Sequence, residues 1–469
     1  MSPFAVILTV LGYFAAMIAV AWASSRRGGG NFYGSRSSSW WVVAFAMIGA
    51  CMSGVTFVSV PGMVGSVGFG YLQMCIGFFL GYLVIAFVLT PLFFRLGVVS
   101  IYQYLEQRFG VASYKCGAWL FFLSKMLGAS VRLYLVCLTL QLLVFDPFNI
   151  PFWVNVLISV VIVWLFTFRG GVTSVIWVDS LKTLCMIVAV GLTLHFIARE
   201  VGWDAFRNSG MTRIFFFDDV NHPEYFWKQM LGGLFTVVAM TGLDQDMMQR
   251  TLSCRNVGDS QKHLIVSSLL QTAVIALFLI LGVFLYLFAG KHGIEARGDS
   301  LFPEVACSGF LPPVVGVLFI LGLVSAAYTA GGSALTALTT SFTVDILRKG
   351  GSVRVRKAVH MGMALLMGVT IVVFNALNST SAIDAVYKLA SYTYGPLLGM
   401  FLFGIACKRP VRDRWVPLVA VAAPILCLVL QLHSERWFGG YRFSYELLLV
   451  NAALTVLGMC CLIRKGKKA

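Results

Sequence analysis

Long apolar segments constrain the fold of this chain more than any other feature of its sequence. A bilayer core about 30 Å thick needs about 20 apolar residues per helical span, whereas barrel strands would alternate in polarity over about ten residues. The uninterrupted apolar runs predict an all-α integral membrane protein of about thirteen transmembrane helices. These lie near residues 4–23, 40–65, 69–94, 115–145, 152–168, 173–198, 226–248, 262–290, 313–345, 356–376, 380–407, 414–432 and 445–464.

Basic residues orient the predicted helices in the membrane. The first span has no Lys or Arg before it and is followed by Arg26 and Arg27, the reverse of a cleavable signal peptide. Because Lys and Arg collect in cytoplasmic loops, we expect the N-terminus outside. Alternation over thirteen helices then places most of the 35 Lys and Arg residues, Arg250 among them, in cytoplasmic loops and in a cytoplasmic C-terminal tail. The expected location is the inner (plasma) membrane.

Composition and motifs exclude several classes of protein. Only 12% of the residues are charged and 59% are hydrophobic, whereas a soluble domain carries about 25% charged residues. The formal net charge of +16 is spread over many loops, so it indicates topology and contact with anionic lipid rather than with nucleic acid. The sequence has neither a P-loop motif nor a GxSxG motif. An ATP-driven pump and a serine hydrolase are therefore disfavoured, and we do not expect an enzyme.

Stretches rich in glycine and hydroxyl groups interrupt two of the predicted helices. One covers residues 49–56 (GACMSGVT) in the second span, and the other covers residues 232–244 (GGLFTVVAMTGLD) five spans later. Transporters built from inverted repeats bind solute where two helices unwind near the bilayer midplane. The alternative is ordinary glycine-mediated helix packing. The matched spacing favours helix breaks near Ser53 and near residues 235–241.

Four of the ionisable residues inside predicted helices matter most, because a charge there is costly and a functional role is the default hypothesis. The structural interpretation of Lys125 is that its aliphatic chain extends along the helix and places the ammonium at the membrane interface. Arg132 lies near the middle of its span and is compatible with an internal ion pair. Asp179 and Lys182 are three residues apart on one helical face, so they could neutralise each other. Each residue therefore has a structural and a functional interpretation.

The ninth predicted span has the composition of a cation-binding helix. Residues 324–336 (VSAAYTAGGSALT) place small residues and hydroxyls at three- and four-residue steps. Hydroxyl and backbone carbonyl oxygens are hard ligands of the kind that hard cations prefer. A close-packed helix face of small residues is the alternative.

Three motifs resemble those of the sodium/solute symporter family, whose members carry sugars, proline, sialic acid, iodide and vitamins. Residues 91–110 contain PLFFR and SIYQYLEQRFG, which resemble the family's loop after its second core helix. Residues 244–252 (DQDMMQRTL) resemble its DQ…QR.L motif, and residues 392–399 (YTYGPLLG) resemble its tenth core helix. The resemblance implies secondary active transport of a small solute by alternating access.

The resemblance also implies the organisation of the chain. The family fold is a LeuT-like core of ten helices in two inverted five-helix repeats. Here that core is expected at residues 40–407. Residues 1–39 would form an extra N-terminal transmembrane helix and the first cytoplasmic loop, and residues 408–469 would form two C-terminal transmembrane helices and a basic tail.

A sodium site follows from the same resemblance. The family's shared sodium ion is bound by carbonyls and hydroxyls that match Gly49, Met52, Ala326 and Thr329. One further family ligand is a hydroxyl, but the matching residue here, Ala330, has none. Members with a second sodium ion use positions that match Ser333 and Asp179. In addition, this chain has Lys182 where the family often has glutamine.

The family's solute pocket lies between core helices one, two, three, six and ten. Arg132 resembles the arginine of proline-type members, and the pocket offers few of the hydroxyl and amide groups that a sugar needs. We therefore expect a small polar or anionic solute, with a carboxylate or another anion held by Arg132. The matching positions are Ser53, Thr56, Gln73, Arg132, Thr241 and Tyr394.

Two alternatives to sodium symport stay open at this stage. In one, the Lys182 ammonium takes the place of the sodium ion, and transport is proton-coupled or uncoupled. In the other, the chain is a membrane sensor that binds solute without moving it. Such relatives usually carry a cytoplasmic signalling domain, and this sequence ends soon after its last predicted helix, so we expect a transporter. The oligomeric state is left open.

Overall fold

A helix or a broken helix occupies each of the thirteen predicted apolar segments in the computed structural model. The structure describes residues 3–27, 38–98, 100–141, 145–168, 172–349, 352–377, 382–441, 443 and 445–464. The first five core segments and the helix before them comprise α1 (Pro3–Arg27), α2 (Trp40–Cys51), α3 (Gly54–Val67), α4 (Tyr71–Val84), α5 (Thr90–Leu96), α6 (Gln103–Arg108), α7 (Val111–Leu140), α8 (Phe152–Thr167), α9 (Val172–Val201) and α10 (Trp203–Arg207).

The second half of the chain is also helical. Within the described ranges, β pairing is limited to two isolated bridges, Ser38 with Cys254 and Val411 with Ile463. The remaining helices are α11 (Phe226–Val237), α12 (Gln245–Thr251), α13 (Val257–His292), α14 (Leu301–Cys307), α15 (Pro313–Ser341), α16 (Val353–Leu377), α17 (Ala382–Ala406), α18 (Val416–Trp437) and α19 (Leu447–Cys461).

Length and apolarity confirm a multi-pass membrane protein. Among the described residues, seven helices are long and apolar enough to cross a bilayer, or eight when α2 and α3 count as one bent span. The count of thirteen crossings stays a prediction. The first predicted cytoplasmic loop falls largely on residues 28–37, which lie outside the described part of the chain.

The second predicted span is broken where the sequence indicated. Helix α2 ends at Cys51 because Met52 adopts an extended conformation (φ −90°, ψ 117°), and α3 then leaves at 60° to α2. The Ser53 amide donates to the Thr56 hydroxyl at 3.4 Å. The carbonyls in the last turn of α2 consequently lose their helical donors. The break near Ser53 is confirmed.

The second break lies slightly later in the chain than predicted. Helix α11 continues as a π-helical turn over Val238–Gly242, and the interruption falls at Leu243 and Asp244. The Asp244 carboxylate accepts hydrogen bonds from the amides of Asp246 and Met247 at 2.9 and 3.3 Å, and so caps α12. An aspartate before a helix supplies the acceptor that its first amides need, which explains why helical structure resumes there.

Polar contacts join helix ends at one side of the bundle. Asp413, between α17 and α18, accepts hydrogen bonds from the amides of Ala112 and Ser113, both at 2.9 Å, at the start of α7. Arg108 donates to the Gly404 and Arg409 carbonyls at the end of α17. The C-terminal helices are thereby attached to the helices before them, while the division at residue 408 stays a prediction.

Glycines bring α4 and α11 into backbone contact. A Cβ atom on Gly77 would lie 2.0 Å from the Met230 carbonyl oxygen and 2.7 Å from the Leu234 nitrogen. Backbone atoms cannot move aside as a side chain does. We therefore expect Gly77→Ala to destabilise the protein by about 1–3 kcal/mol through overpacking, seen as a lower unfolding midpoint in detergent.

The matched control for Gly77→Ala is Gly191→Ala in the middle of α9. A Cβ atom there has no heavy atom within 4 Å, and alanine favours a helix over glycine. Its midpoint should equal or exceed that of the unmodified protein. Equal midpoints for the two variants would show that the α4–α11 contact does not depend on glycine.

Candidate functional site

A cavity of about 110 Å³ lies at the two helix breaks. It is enclosed by the end of α2 and the start of α3, and by α4, α7, α11, α13 and α17. Ser53 and Thr56 come from the first break and Thr241 from the π-helical turn before the second. Arg132 projects from α7 and Tyr394 from α17. The structure therefore brings together five of the six predicted solute-binding residues.

Gln73 does not line this cavity. Its side-chain amide donates to the carbonyls of Glu224 at 2.9 Å and Gly70 at 3.3 Å. Its carbonyl oxygen accepts from the Phe216 amide at 3.0 Å. The side chain is fully buried, and these contacts attach the segment before α11 to the start of α4. Its assignment as a solute ligand stays a prediction.

Arg132 is the cavity cation that has no counter-ion in the described parts of the chain. Its side chain is half-buried in the lining, and within the described parts of the chain its guanidinium makes neither an ion pair nor a hydrogen bond. The internal ion pair that the sequence left open is therefore not observed. A guanidinium presents several donors in a fixed fork that matches a carboxylate.

Lys125 is neutralised where Arg132 is not. Its ammonium lies 3.0 Å from carboxylate oxygens of both Asp244 and Asp246, and its side chain is only 6% exposed. Tyr394 donates a second hydrogen bond to Asp244 at 2.8 Å. The interpretation of Lys125 as a chain reaching the membrane interface is wrong, because two carboxylates of the second break hold it inside the bundle.

The position of Arg250 after the seventh predicted span had indicated a cytoplasmic loop. The structure places this residue inside the protein instead. It is 1% exposed and lies 3.1 Å from an oxygen of Asp179 and 3.2 Å from an oxygen of Asp246. Asp246 and Arg250 are four residues apart on α12, so they share one helical face. That face turns inward as a unit, because a charge is stable inside the protein only when a partner of opposite charge is buried with it.

The predicted sodium ligands lie on the elements that surround the first break. Gly49, near the end of α2, packs against α9 so tightly that a Cβ atom would lie 2.5 Å from the Asp179 carbonyl oxygen. Met52 lies in the break, and Ala326 and Thr329 are buried on α15, which packs against both α3 and α9. Carbonyls freed by an unwound helix, with nearby hydroxyls, are chemically suited to sodium.

Lys182 is buried beside this region. Its side chain is fully buried on α9, and its ammonium has no hydrogen-bond partner among the described residues. Asp179, three residues earlier, forms its ion pair with Arg250, so among the described residues the ammonium of Lys182 attracts Asp179 without lying within ion-pair distance of it. A buried ammonium without a hydrogen bond is costly, which marks this position for function.

One polar group of three cavity residues was not identified from the sequence. The Tyr82 hydroxyl on α4 donates to the Gln271 side-chain oxygen at 3.1 Å and lies 3.1 Å from the Cys51 sulfur. All three residues line the cavity. Gln271 was detectable, because it is an isolated amide within the long apolar run of α13. These groups form a neutral polar wall that adds to the Arg132 guanidinium.

Comparison with known proteins agrees with this geometry. The model of the sodium:solute symporter family matches residues 31–413. The human sodium/iodide cotransporter is 26% identical over 85% of this chain and 66% of its own length. The mouse sodium-coupled monocarboxylate transporter 1 is 28% identical over 79% of this chain and 63% of its own. This chain thus spans about two thirds of the length of these relatives.

A bacterial relative and a solved structure match most of this chain and also most of their own length. The sodium/sialic acid symporter of Aliivibrio fischeri is 25% identical over 89% of this chain and 86% of its own. A solved substrate-bound, outward-open Na⁺-coupled sialic acid symporter is 20% identical, covers 97% of both chains and has a TM-score of 0.79. At that identity the likeness shows the fold, which agrees with the LeuT-like core expected from the motifs. The family match covers most of the sequence, and this chain therefore belongs to the sodium:solute symporter family.

Proposed function

We propose that this protein is a secondary active transporter that carries a small anion together with sodium by alternating access. The observation that carries the proposal is the Arg132 guanidinium, which faces the cavity between two broken helices and has no counter-ion among the described residues. The proposed orientation has the N-terminus outside and the C-terminus in the cytoplasm, with the ten-helix core at residues 40–407. The proposed location is the inner (plasma) membrane.

The charges around the cavity support an anionic solute. Lys125 is balanced by Asp244 and Asp246, which leaves Arg132 as the unbalanced charge of the lining. A bound carboxylate would neutralise it through two parallel hydrogen bonds. The named relatives point the same way, because iodide, monocarboxylates and sialic acid are all anions at neutral pH.

The size of the cavity supports a solute of few atoms. Its volume is about 110 Å³, whereas a cavity of about 150 Å³ holds one benzene molecule. A small monocarboxylate or an inorganic anion fits that space in this conformation. Tyr82, Gln271 and Thr241 would then contact the part of the solute that points away from Arg132.

Screening purified protein tests this assignment. Unfolding midpoints would be measured with pyruvate, lactate, acetate, iodide and glucose, each in sodium and in potassium chloride. The proposal expects stabilisation by one of the anions that is larger in sodium, since a ligand that binds only the folded state raises the midpoint. Counterflow of the labelled hit in liposomes then separates a transporter from a sensor, because a sensor gives none.

A second coupling mechanism is favoured by one observation, the buried Lys182 ammonium without a hydrogen-bond partner in the described structure. In this alternative the ammonium replaces the sodium ion beside Gly49, Met52 and Thr329. A buried lysine changes its protonation readily, so transport would be proton-coupled or uncoupled. The missing hydroxyl at Ala330 supports this alternative, while the family supports sodium.

Uptake of the labelled hit into liposomes distinguishes the two mechanisms. Under sodium coupling, uptake should fall at least tenfold when potassium replaces sodium, and Lys182→Gln should keep a steep sodium dependence. Under lysine coupling, uptake should be equal in the two salts and lost in Lys182→Gln. Uptake that is equal in both salts and survives Lys182→Gln contradicts both mechanisms.

A further inference from the structure

We infer that the Arg250 guanidinium occupies the place between Asp179 and Ser333 that a second sodium ion would take, so that the protein binds at most one sodium ion. The link to transport rests on the proposed function, whereas the occupancy of this place rests on geometry alone. The structure thereby disagrees with the expectation that Asp179 and Ser333 are sodium ligands.

Both predicted ligands are engaged by Arg250. The Asp179 carboxylate lies 3.1 Å from the Arg250 terminal nitrogen, and the same nitrogen donates a hydrogen bond to the Ser333 hydroxyl. The Ser333 hydroxyl in turn donates to the Asp246 carboxylate at 2.6 Å. The Ser333 oxygen therefore accepts a hydrogen bond from Arg250, and the Ser333 hydroxyl proton is donated to Asp246.

The place is buried and already holds a fixed positive charge. Arg250 and Asp179 are each 1% exposed, and Ser333 is 4% exposed. Arg250 and Lys125 together face Asp179, Asp244 and Asp246, all within ion-pair distance of one of the two cations. A sodium ion at Ser333 would lie beside a guanidinium, and like charges repel strongly where water is excluded.

Neighbouring positions on α15 offer no replacement oxygen. Residues 330–332 are alanine, glycine and glycine, and none has a side-chain oxygen. A Cβ atom on Gly332 would lie 2.3 Å from the Phe166 ring, so packing keeps a larger residue out. Thr336, one turn further, donates its hydroxyl to the Gly332 carbonyl at 2.8 Å. The oxygen set that a second ion needs is therefore not assembled here.

Equilibrium binding of ²²Na⁺ to the purified full-length protein tests the inference without knowledge of the solute. We expect no more than one ion per protomer and a Hill coefficient near one. Ser333→Ala should change sodium affinity less than threefold, because its oxygen contacts Arg250. Thr329→Ala should weaken sodium binding at least tenfold, because that hydroxyl belongs to the proposed single site.

Removal of the guanidinium gives the complementary result. Arg250→Gln frees Asp179 and Ser333, so one additional ²²Na⁺ should bind per protomer if the variant folds. Two ions per protomer in the unmodified protein, or a tenfold loss of sodium affinity in Ser333→Ala, would overturn the inference. If the unmodified protein bound no sodium ion and Arg250→Gln bound one, the inference about Arg250 would be supported and sodium coupling would be refuted. The experiment therefore separates failure of the inference from failure of the proposed function.

Discussion

Replacing Asp246 with asparagine should destabilise the protein by about 3–5 kcal/mol, the cost of removing one partner from a buried ion pair. Asp246 lies 3.0 Å from Lys125 and 3.2 Å from Arg250, and it accepts the Ser333 hydroxyl. Asparagine keeps the shape but removes the charge, so two buried cations share one less carboxylate. The free energy of unfolding in mixed micelles measures the effect.

Asp218→Asn is the matched control for this substitution. Asp218 also pairs with an arginine, Arg213, but their side chains are 75% and 52% exposed. Exposed pairs contribute about 1 kcal/mol or less, so this variant should unfold almost as the unmodified protein does. If both variants lost the same free energy, or neither lost any, the buried charge cluster would not be stabilising the bundle.

Arg132→Lys should weaken anion binding at least tenfold, equivalent to about 1.4 kcal/mol. Lysine keeps the positive charge, but it loses the planar fork that donates two parallel hydrogen bonds to a carboxylate. Calorimetric titration with the tightest anion from the screen measures the loss. Because Arg132 has no partner in the described residues, the substitution should leave the unfolding midpoint nearly unchanged.

Arg207→Lys serves as the control for Arg132→Lys. Arg207 is exposed in α10, far along the chain from either helix break, so anion affinity should stay the same. Normal anion binding by Arg132→Lys would contradict the assignment of Arg132. So would a screen in which glucose stabilises the protein more than any anion.

The helices and their breaks were predictable because their causes are local in sequence. An apolar run of about 20 residues has few alternatives to a membrane span. Ser53 marks a helix restart in the same local way, because serine is a preferred residue immediately before a helix. The shift of the second break to Leu243 and Asp244 has a local cause too, since the Asp244 side chain caps α12.

The charge cluster was not predictable because its partners are distant in sequence. Lys125 and Asp244 are 119 residues apart, and nothing near Lys125 indicates that two carboxylates reach it. The same lack of local signal explains why Arg250 was assigned to a loop. For Gln73, the match to a family position suggested a contact with the solute. In the folded chain its side-chain amide instead forms hydrogen bonds with the backbone of Phe216 and Glu224.

The hydrogen bonds of Asp413 have a mechanical consequence for the solute cavity. They fix the first turn of α7, and α7 continues without a break from Val111 to Leu140. Arg132 lies 19 residues beyond Ser113 on this helix, which corresponds to roughly 28 Å along its axis at about 1.5 Å per residue. A displacement of the segment at Asp413 would therefore shift α7 and, with it, the Arg132 guanidinium, so that this end of the bundle and the cavity are mechanically coupled.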